Sequence, residues 1–332
     1  MSESSRIVIT GVAGFIGSLL SRELCDAGYE VVGIDNFICG YEKNLSWIKP
    51  IHNFTFHRLD VGDAVVHSLV RKNDILIHLA AISALATCQE NPQVAYTNNV
   101  ANTAGLLELS RVKGVAHFIF ASTSAVYEHA KTFPIVEDTE KPLPDLIYSL
   151  GKHHREDLVH SNFQVYGQPF TIMRFFNVYG SGADDERTFP PLIPYVIREM
   201  RAGRSPLLHS DGSQRRDYIF VTDLTSFIHK LLKKGPLNTT VNLCSGQTYS
   251  VREIVDIVKS TLGSTVEPTY RDPQLLWEKA AKLWEGERSF PASRMKEEVE
   301  KCCIGDAGRA LELLDWKATV TMEEGIRRMT SN

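Results

Sequence analysis

Tyr148 and Lys152 stand four apart in Tyr148-Ser149-Leu150-Gly151-Lys152, inside a stretch of helical period, so both side chains leave one face a turn apart. A phenol and an ammonium so placed can do proton chemistry. The cation stabilises a tyrosinate and draws a pKa of about 10 toward the range where the oxygen accepts a hydroxyl proton. An exposed Tyr/Lys pair has the same spacing, so neighbouring groups must discriminate. Ser122-Thr123-Ser124 closes a strand-like run at the carboxyl edge, where open α/β sheets bind ligands, and a hydroxyl there can share a proton with substrate and tyrosine. His153 and His154 adjoin Lys152, but neighbouring helix positions point about 100° apart, so both are read as solvent-facing and not as a metal or acid–base pair. Asp184-Asp185-Glu186 is read as a solvated loop, not a cation site.

A second motif concerns a cofactor. Thr10-Gly11-Val12-Ala13-Gly14-Phe15-Ile16-Gly17 follows the first strand-like run and opens a helix. Gly11 permits the tight turn, Gly14 lets the backbone approach a pyrophosphate at the helix N-terminus, and Gly17 lets helix and sheet pack closely. The next strand ends at Asp35, about 20 residues on, where a carboxylate accepts from the adenosine ribose and repels a 2′-phosphate. Asn36, Phe37 and Ile38 supply no arginine to hold such a phosphate, so the expected cofactor is NAD. Gly11, Gly14, Phe15, Ile16, Gly17, Asp35 and Asn36 are expected around it.

These motifs need a scaffold, and the hydrophobic pattern describes one. Strand-like runs at Arg6–Thr10, Glu30–Ile34, Phe54–Leu59, Asp74–Leu79, His117–Ser122 and Phe170–Phe175 alternate with helical segments at Phe15–Ala27, Pro92–Arg111 and Tyr148–Tyr166. That alternation predicts an α/β Rossmann-type doubly wound parallel sheet. After Tyr179 the Gly-, Asp- and Pro-rich SGADDERTFPPLIP breaks it. A smaller, mostly helical C-terminal substrate lobe is expected from there, apart from a return at Asp217–Val221, Asp223–Lys233 and Thr240–Cys244. The division reads 1–180 with about 217–245 as the NAD-binding domain, and about 181–216 with 246–332 as the lobe for substrate. Amphipathic helices are expected at Val251–Leu262 and Ala307–Leu314, and a packed one, in preference to a substrate lid, over Tyr270–Arg294.

Composition excludes several classes. Of 332 residues, 43% are hydrophobic and 23% charged, an ordinary globular balance. Lys and Arg total 36 against 40 Asp and Glu, which leaves no broad basic field for nucleic acid. No apolar run approaches the ~20 residues that span a bilayer. MSESSRIVIT lacks the regions of a signal peptide, so a cytoplasmic protein is expected. The six cysteines make no CxxC or Cys/His spacing suited to zinc and are read as reduced thiols, with no metal expected.

TGVAGFIG, Asp35, Leu59-Asp60-Val61, His78-Leu79-Ala80-Ala81, Thr123, YSLGK and Arg174-Phe175-Phe176-Asn177-Val178-Tyr179-Gly180 occur in that order. On these the chain resembles an extended short-chain dehydrogenase/reductase of the NAD-dependent nucleotide-sugar epimerase/dehydratase family. The resemblance implies Tyr148 as the base, Lys152 as the residue that lowers its pKa and binds the nicotinamide ribose, and Thr123 as the hydroxyl partner. It implies Asp60 and Val61 at the adenine, Leu79, Ala80 and Ala81 along the pyrophosphate and ribose, Asn98 near the cofactor and Phe175 near the nicotinamide. It further implies Asn177 and Arg216 at the substrate phosphates, Arg294 at the nucleotide, Leu192 and His209 by the base, a UDP-linked substrate, and a homodimer built from two long helices.

Members of this family diverge after a shared keto-sugar step. Similar dehydratases carry Asp-Glu directly after the threonine, and decarboxylases a glutamate two places on. This chain reads Thr123-Ser124-Ala125, so elimination lacks its acid and the expected outcome is 4-epimerisation. A decarboxylase, a keto-sugar reductase or dehydrogenase, and a non-catalytic NAD-binding module are the alternatives. Two departures fall on the substrate side, where Pro191 replaces an asparagine before Leu192 and His209 replaces a base-stacking aromatic.

Overall fold

The computed structural model describes residues 6–183 and 187–331. The acidic triplet Asp184-Asp185-Glu186 lies outside the described residues. The chain divides into two compact units, the first made of residues up to His129, Glu140–Phe175 and Phe227–Val241. The second comprises Ala130–Thr139, Phe176–Ser226 and the chain from Asn242 onward, so residues 217–226 belong to it.

The strands are β1 (Arg6–Thr10), β2 (Glu30–Asp35), β3 (Phe54–Arg58), β4 (Ile75–His78), β5 (His117–Thr123), β6 (Phe170–Phe175), β7 (Asn177–Tyr179), β8 (Leu207–His209), β9 (Arg215–Phe220), β10 (Thr240–Leu243), β11 (Thr248–Ser250) and β12 (Thr269–Arg271). The principal sheet has seven strands in the order β10-β6-β5-β4-β1-β2-β3, and its pairings from β6 through to β3 are parallel. The order reverses direction between β1 and β4, the switch point of a doubly wound sheet. Its strands are β-branched and aromatic because both faces are covered, with Val8, Val32, Leu76, Phe118, Phe120 and Ile172 buried in one core cluster.

Helix Ile147–Tyr166 carries the YxxxK pair and ends at Gly167, whose φ of 69° supplies the left-handed turn that closes it. The expected single helix Pro92–Arg111 is interrupted. It runs as Pro92–Tyr96, a π turn over Thr97–Ala101, and then Asn102–Lys113. A π turn inserts a residue and rotates the helix beyond it.

The second unit is not purely helical. It contains a three-stranded sheet β11-β9-β7 and the pair β12-β8, and all of these except β9 escape a pattern search because each has three residues. Helix Leu192–Arg201 was also hidden, since Pro191 at its N-cap and Pro194 in its first turn read as loop in the sequence. The segment Tyr270–Arg294 does not form the expected helix. It folds as β12, two 3₁₀ turns and the start of helix Ala292–Glu300, with Trp277 and Leu283 buried and the Phe290 ring 5.4 Å from that of Trp277. The tryptophans pack inward as their spacing suggests, without the helix.

Candidate active site

The glycine loop, the tail of β4 and the ends of β2, β5 and β6 lie along one edge of the first unit's sheet, because parallel strands all finish at the same side. Gly11 has φ of 77°, and a Cβ there would stand 2.7 Å from the Ala80 nitrogen, so no other residue fits. A Cβ on Gly17 would lie 2.2 Å from the Gly11 carbonyl oxygen. Thr10 holds the opposite wall, its carbonyl accepting from Leu79 N at 3.1 Å and its hydroxyl from Ala80 N at 3.3 Å.

Asp35 is buried at the end of β2, where its carboxylate accepts from Ala13 N at 2.9 Å and Phe37 N at 2.8 Å. Burial pushes its pKa up, and the two backbone donors oppose that. It therefore fastens the glycine loop, with lone pairs left for a ribose. Asn36 and Asn102 both donate to the Asp60 carboxylate, at 2.7 and 2.8 Å, while Val61 packs on the core. Helix Phe15–Asp26 begins at Gly14 with no side-chain cap, which leaves the donors of its first turn for an anion, and Phe15 and Ile16 occupy that turn. A dinucleotide fits this cradle.

Thr123 ends β5 and faces Phe175, its registered partner on β6. Its hydroxyl accepts from Ala125 N at 3.2 Å, an arrangement that starts the turn Ser124–Tyr127. Tyr148 is buried against Ile82, Cys88 and Ala95, and the Lys152 ammonium lies 5.9 Å from its ring centroid. Lys152 donates to the Ala121 carbonyl and sits 5.1 Å from the Phe120 ring. Burial, with Arg155 adding to it, holds the Lys152 pKa well below that of an ordinary lysine.

The π turn sets two adjacent asparagines at this edge. Asn98, half-buried, donates to Val94 O on its own helix at 3.1 Å. Asn99, one position on, is the buried amide at this edge, accepting from Ile82 N at 2.9 Å and donating to Ile82 O at 3.0 Å. The solvent-facing reading of His153 and His154 is corrected. Both are half-buried, His154 bonded to the Tyr96 hydroxyl and His153 3.6 Å from the Asp157 carboxylate, because the segment Pro92–Tyr96 packs against their helix.

A buried network behind the site went unforeseen. Glu156, four after Lys152, accepts from Ser122 Oγ at 2.6 Å, Arg174 Nε at 2.9 Å and Lys141 Nζ at 2.7 Å, and Arg174 reaches on to the Tyr127 hydroxyl. Burial alone would raise the Glu156 pKa, but the Arg174 and Lys141 cations overturn that and hold it near 2. Its i+4 spacing from Lys152 was the available signal.

The expected substrate residues other than Thr123 belong to the second unit. Asn177 on β7 donates to Asp217 O at 2.8 Å, and Leu192 opens helix Leu192–Arg201. His209 on β8 accepts at Nε2 from Arg271 Nε at 2.7 Å, and burial together with that arginine pushes its pKa down to about 4, so the ring is neutral. Arg216 donates to the Glu298 and Val299 carbonyls at 2.9 and 3.2 Å. Arg294 lies 3.7 Å from the Glu298 carboxylate, which also pairs with Lys301 at 3.1 Å. The fold thus gathers three cations around Glu298.

Residues 8–329 match the profile of the GDP-mannose 4,6 dehydratase family. The chain belongs to that family. Among its relatives is a UDP-glucuronate 4-epimerase of Thermodesulfobacterium geofontis, 28% identical across 97% of this chain and 94% of the relative. The UDP-glucose 4-epimerase of Thermotoga maritima, solved with UDP-glucose, superposes with a TM-score of 0.84 at 28% identity, covering 98% of this chain and 97% of its own. The UDP-glucuronic acid 4-epimerase of Bacillus cereus, solved with UDP-glucuronic acid and NAD, gives 0.84 at 27% identity over the same shares, 98% and 97%. Membership in this family makes NAD the cofactor, in keeping with the cradle at Gly11, Gly14 and Gly17.

Proposed function

We propose that this protein is an NAD-dependent 4-epimerase of a UDP-linked sugar. The reading rests on one observation: Thr123, Tyr148 and Lys152 stand at the sheet's carboxyl edge, and Thr123 is followed by Ser124 and Ala125 with no carboxylate. In this reading Tyr148 takes the proton of the C4 hydroxyl, and the Thr123 hydroxyl orients that group. Lys152, anchored on the Ala121 carbonyl, supplies the positive charge that keeps the phenol acidic. NAD, when bound, would supply a reversible hydride acceptor for C4. The residues expected around it are those of the glycine loop, Asp35, Asp60, Val61, Leu79, Ala80, Ala81 and Phe175. With Ser124 and Ala125 in place of acids, the sugar loses neither water nor carbon dioxide, and reduction from the opposite face completes the inversion.

The first unit would hold the cofactor and the second the nucleotide sugar, with Arg216 and Arg294 on the phosphates, where guanidinium forks are suited to bind. Helices bearing Val94 and Val165, which are 51% and 65% exposed, would pair with a second copy as a homodimer. None of the described helices is long and apolar enough to cross a membrane. None of the six cysteines forms a disulfide, which supports a cytoplasmic enzyme.

A proton-NMR time course with NAD and separate UDP-hexose, UDP-N-acetylhexosamine and UDP-hexuronate samples tests this. The expected result is a C4 epimer at a fixed final ratio without net NADH, slowed about 10³-fold or more in Tyr148→Phe. A pentose product would make the protein a decarboxylase, and stoichiometric NADH a dehydrogenase.

A further inference from the structure

Arg155 is completely buried, yet its Nη1 and Nη2 have no hydrogen-bond partner among the described residues. Only Nε is engaged, donating to the Gly151 carbonyl one turn back at 3.3 Å. A guanidinium so placed works against folding, and replacing buried charge by an apolar side chain of similar size is often neutral or stabilising. Its position suggests what retains it. Tyr148, Lys152 and Arg155 follow at i, i+4 and i+7 and share a face, and helical side chains lean toward the N-terminus, so Arg155 reaches back along the face of Lys152 and Tyr148. Lys152 Nζ and Arg155 Cζ lie 5.1 and 5.2 Å from the Phe120 ring centroid.

Among the described residues, the groups around this face carry no compensating charge of their own. Glu156, the adjacent carboxylate on the same helix, is taken up by Arg174, Lys141 and Ser122. Cys88, from helix Leu85–Glu90, has its thiol pushed up to about 12 by burial and is neutral. His78, at the end of β4, is hydrogen-bonded between Thr10 and Thr103, and burial, Arg155 and Lys152 hold it uncharged. The π turn Thr97–Ala101 buries Asn99, an uncharged amide bonded to the Ile82 backbone. Tyr148 and Cys88 are the groups whose ionisation Arg155 would favour.

We propose that Arg155 is a positioning residue for the base: its buried charge, set behind Lys152 on the Tyr148 face, holds Tyr148 as tyrosinate, and that anion is the counter-charge the guanidinium otherwise lacks. The phenolic proton leaves to solvent before substrate binds. This rests on Tyr148 being the base.

The test is a titration of tyrosinate absorbance in the NAD-loaded protein, taken as the difference from Tyr148→Phe, alongside the pH profile of epimerisation. In Arg155→Met the tyrosinate midpoint rises by about 1 to 2, the acid limb of the profile moves with it, activity recovers at high pH, and thermal stability is unchanged or higher. Arg155→Lys retains most of the wild-type midpoint. A midpoint and acid limb unmoved in Arg155→Met overturn the proposal, as does a lower rate at every pH with the profile in place, which marks a structural role. If the methionine variant does not fold, Arg155→Gln gives the same comparison, and an unshifted midpoint there overturns the proposal equally. Retained epimerisation in Tyr148→Phe sinks the base itself, so the two failures are distinguishable.

Discussion

Helix Ile147–Tyr166 separates two buried charge clusters that are built on opposite terms. On one side Glu156 is satisfied at both oxygens by Ser122, Arg174 and Lys141, and the cluster is compensated. On the other, among the described residues, Lys152 has a single carbonyl and Arg155 leaves two nitrogens unpaired. The first arrangement stabilises the fold and the second leaves positive potential free to act on Tyr148. An uncompensated charge is tolerable because the neighbouring compensated cluster fastens the helix to β5 and β6.

Breaking the compensated side has the largest expected effect on stability. Glu156→Leu strands Arg174, which is 3% exposed, and should cost about 4 kcal/mol in urea unfolding, against a near-neutral result when Arg174→Met is added. A single variant as stable as wild type would show that the network contributes little.

Acid should reveal the same contrast. Glu156 titrates near 2 in the fold and at 4.5 ordinarily, so its contribution is whole above 4.5 and is lost as pH falls toward 2, about 3 kcal/mol in all. His117, 2.9 Å from the Thr171 hydroxyl, is pushed by burial from 6.5 to about 4. Folding favours its neutral form, so stability is full above 6.5 and declines as pH drops toward 4. Urea midpoints across this range should therefore fall in two stages, the lower one absent in Glu156→Gln. If that variant tracks wild type below pH 4.5, the assignment to Glu156 is wrong.

The smallest effect sharpens the comparison. Lys141, whose side chain is 20% exposed, is the outer leg of the compensated cluster. Lys141→Met should cost about 1 kcal/mol in thermal melts and leave the Tyr148 titration unmoved. A shifted tyrosinate midpoint would mean that the two clusters are electrically one.

Strands β1 to β6, the glycine loop and the YxxxK pair were legible in the sequence because each is local: a run buried on both faces, a turn that only glycine can make, a spacing of one helical turn. The three-residue strands of the second unit and helix Leu192–Arg201 were not, since three residues carry no period and prolines read as loop until they cap a first turn. The π turn over Thr97–Ala101, which buries Asn99 beside the half-buried Asn98, leaves no mark in composition.

Sequence alone determined the fold class and the cofactor, and it singled out Tyr148 and Lys152 as the pair proposed for proton transfer, because those depend on residue types at fixed short separations. Tertiary structure decided how the charges are shared: that Glu156 belongs to Arg174 and Lys141, that Arg216 and Arg294 meet at Glu298, and that Arg155 has no partner among the described residues for two of its nitrogens. Pairing of charges is a matter of distance through space and of exclusion of water, and neither is written along the chain.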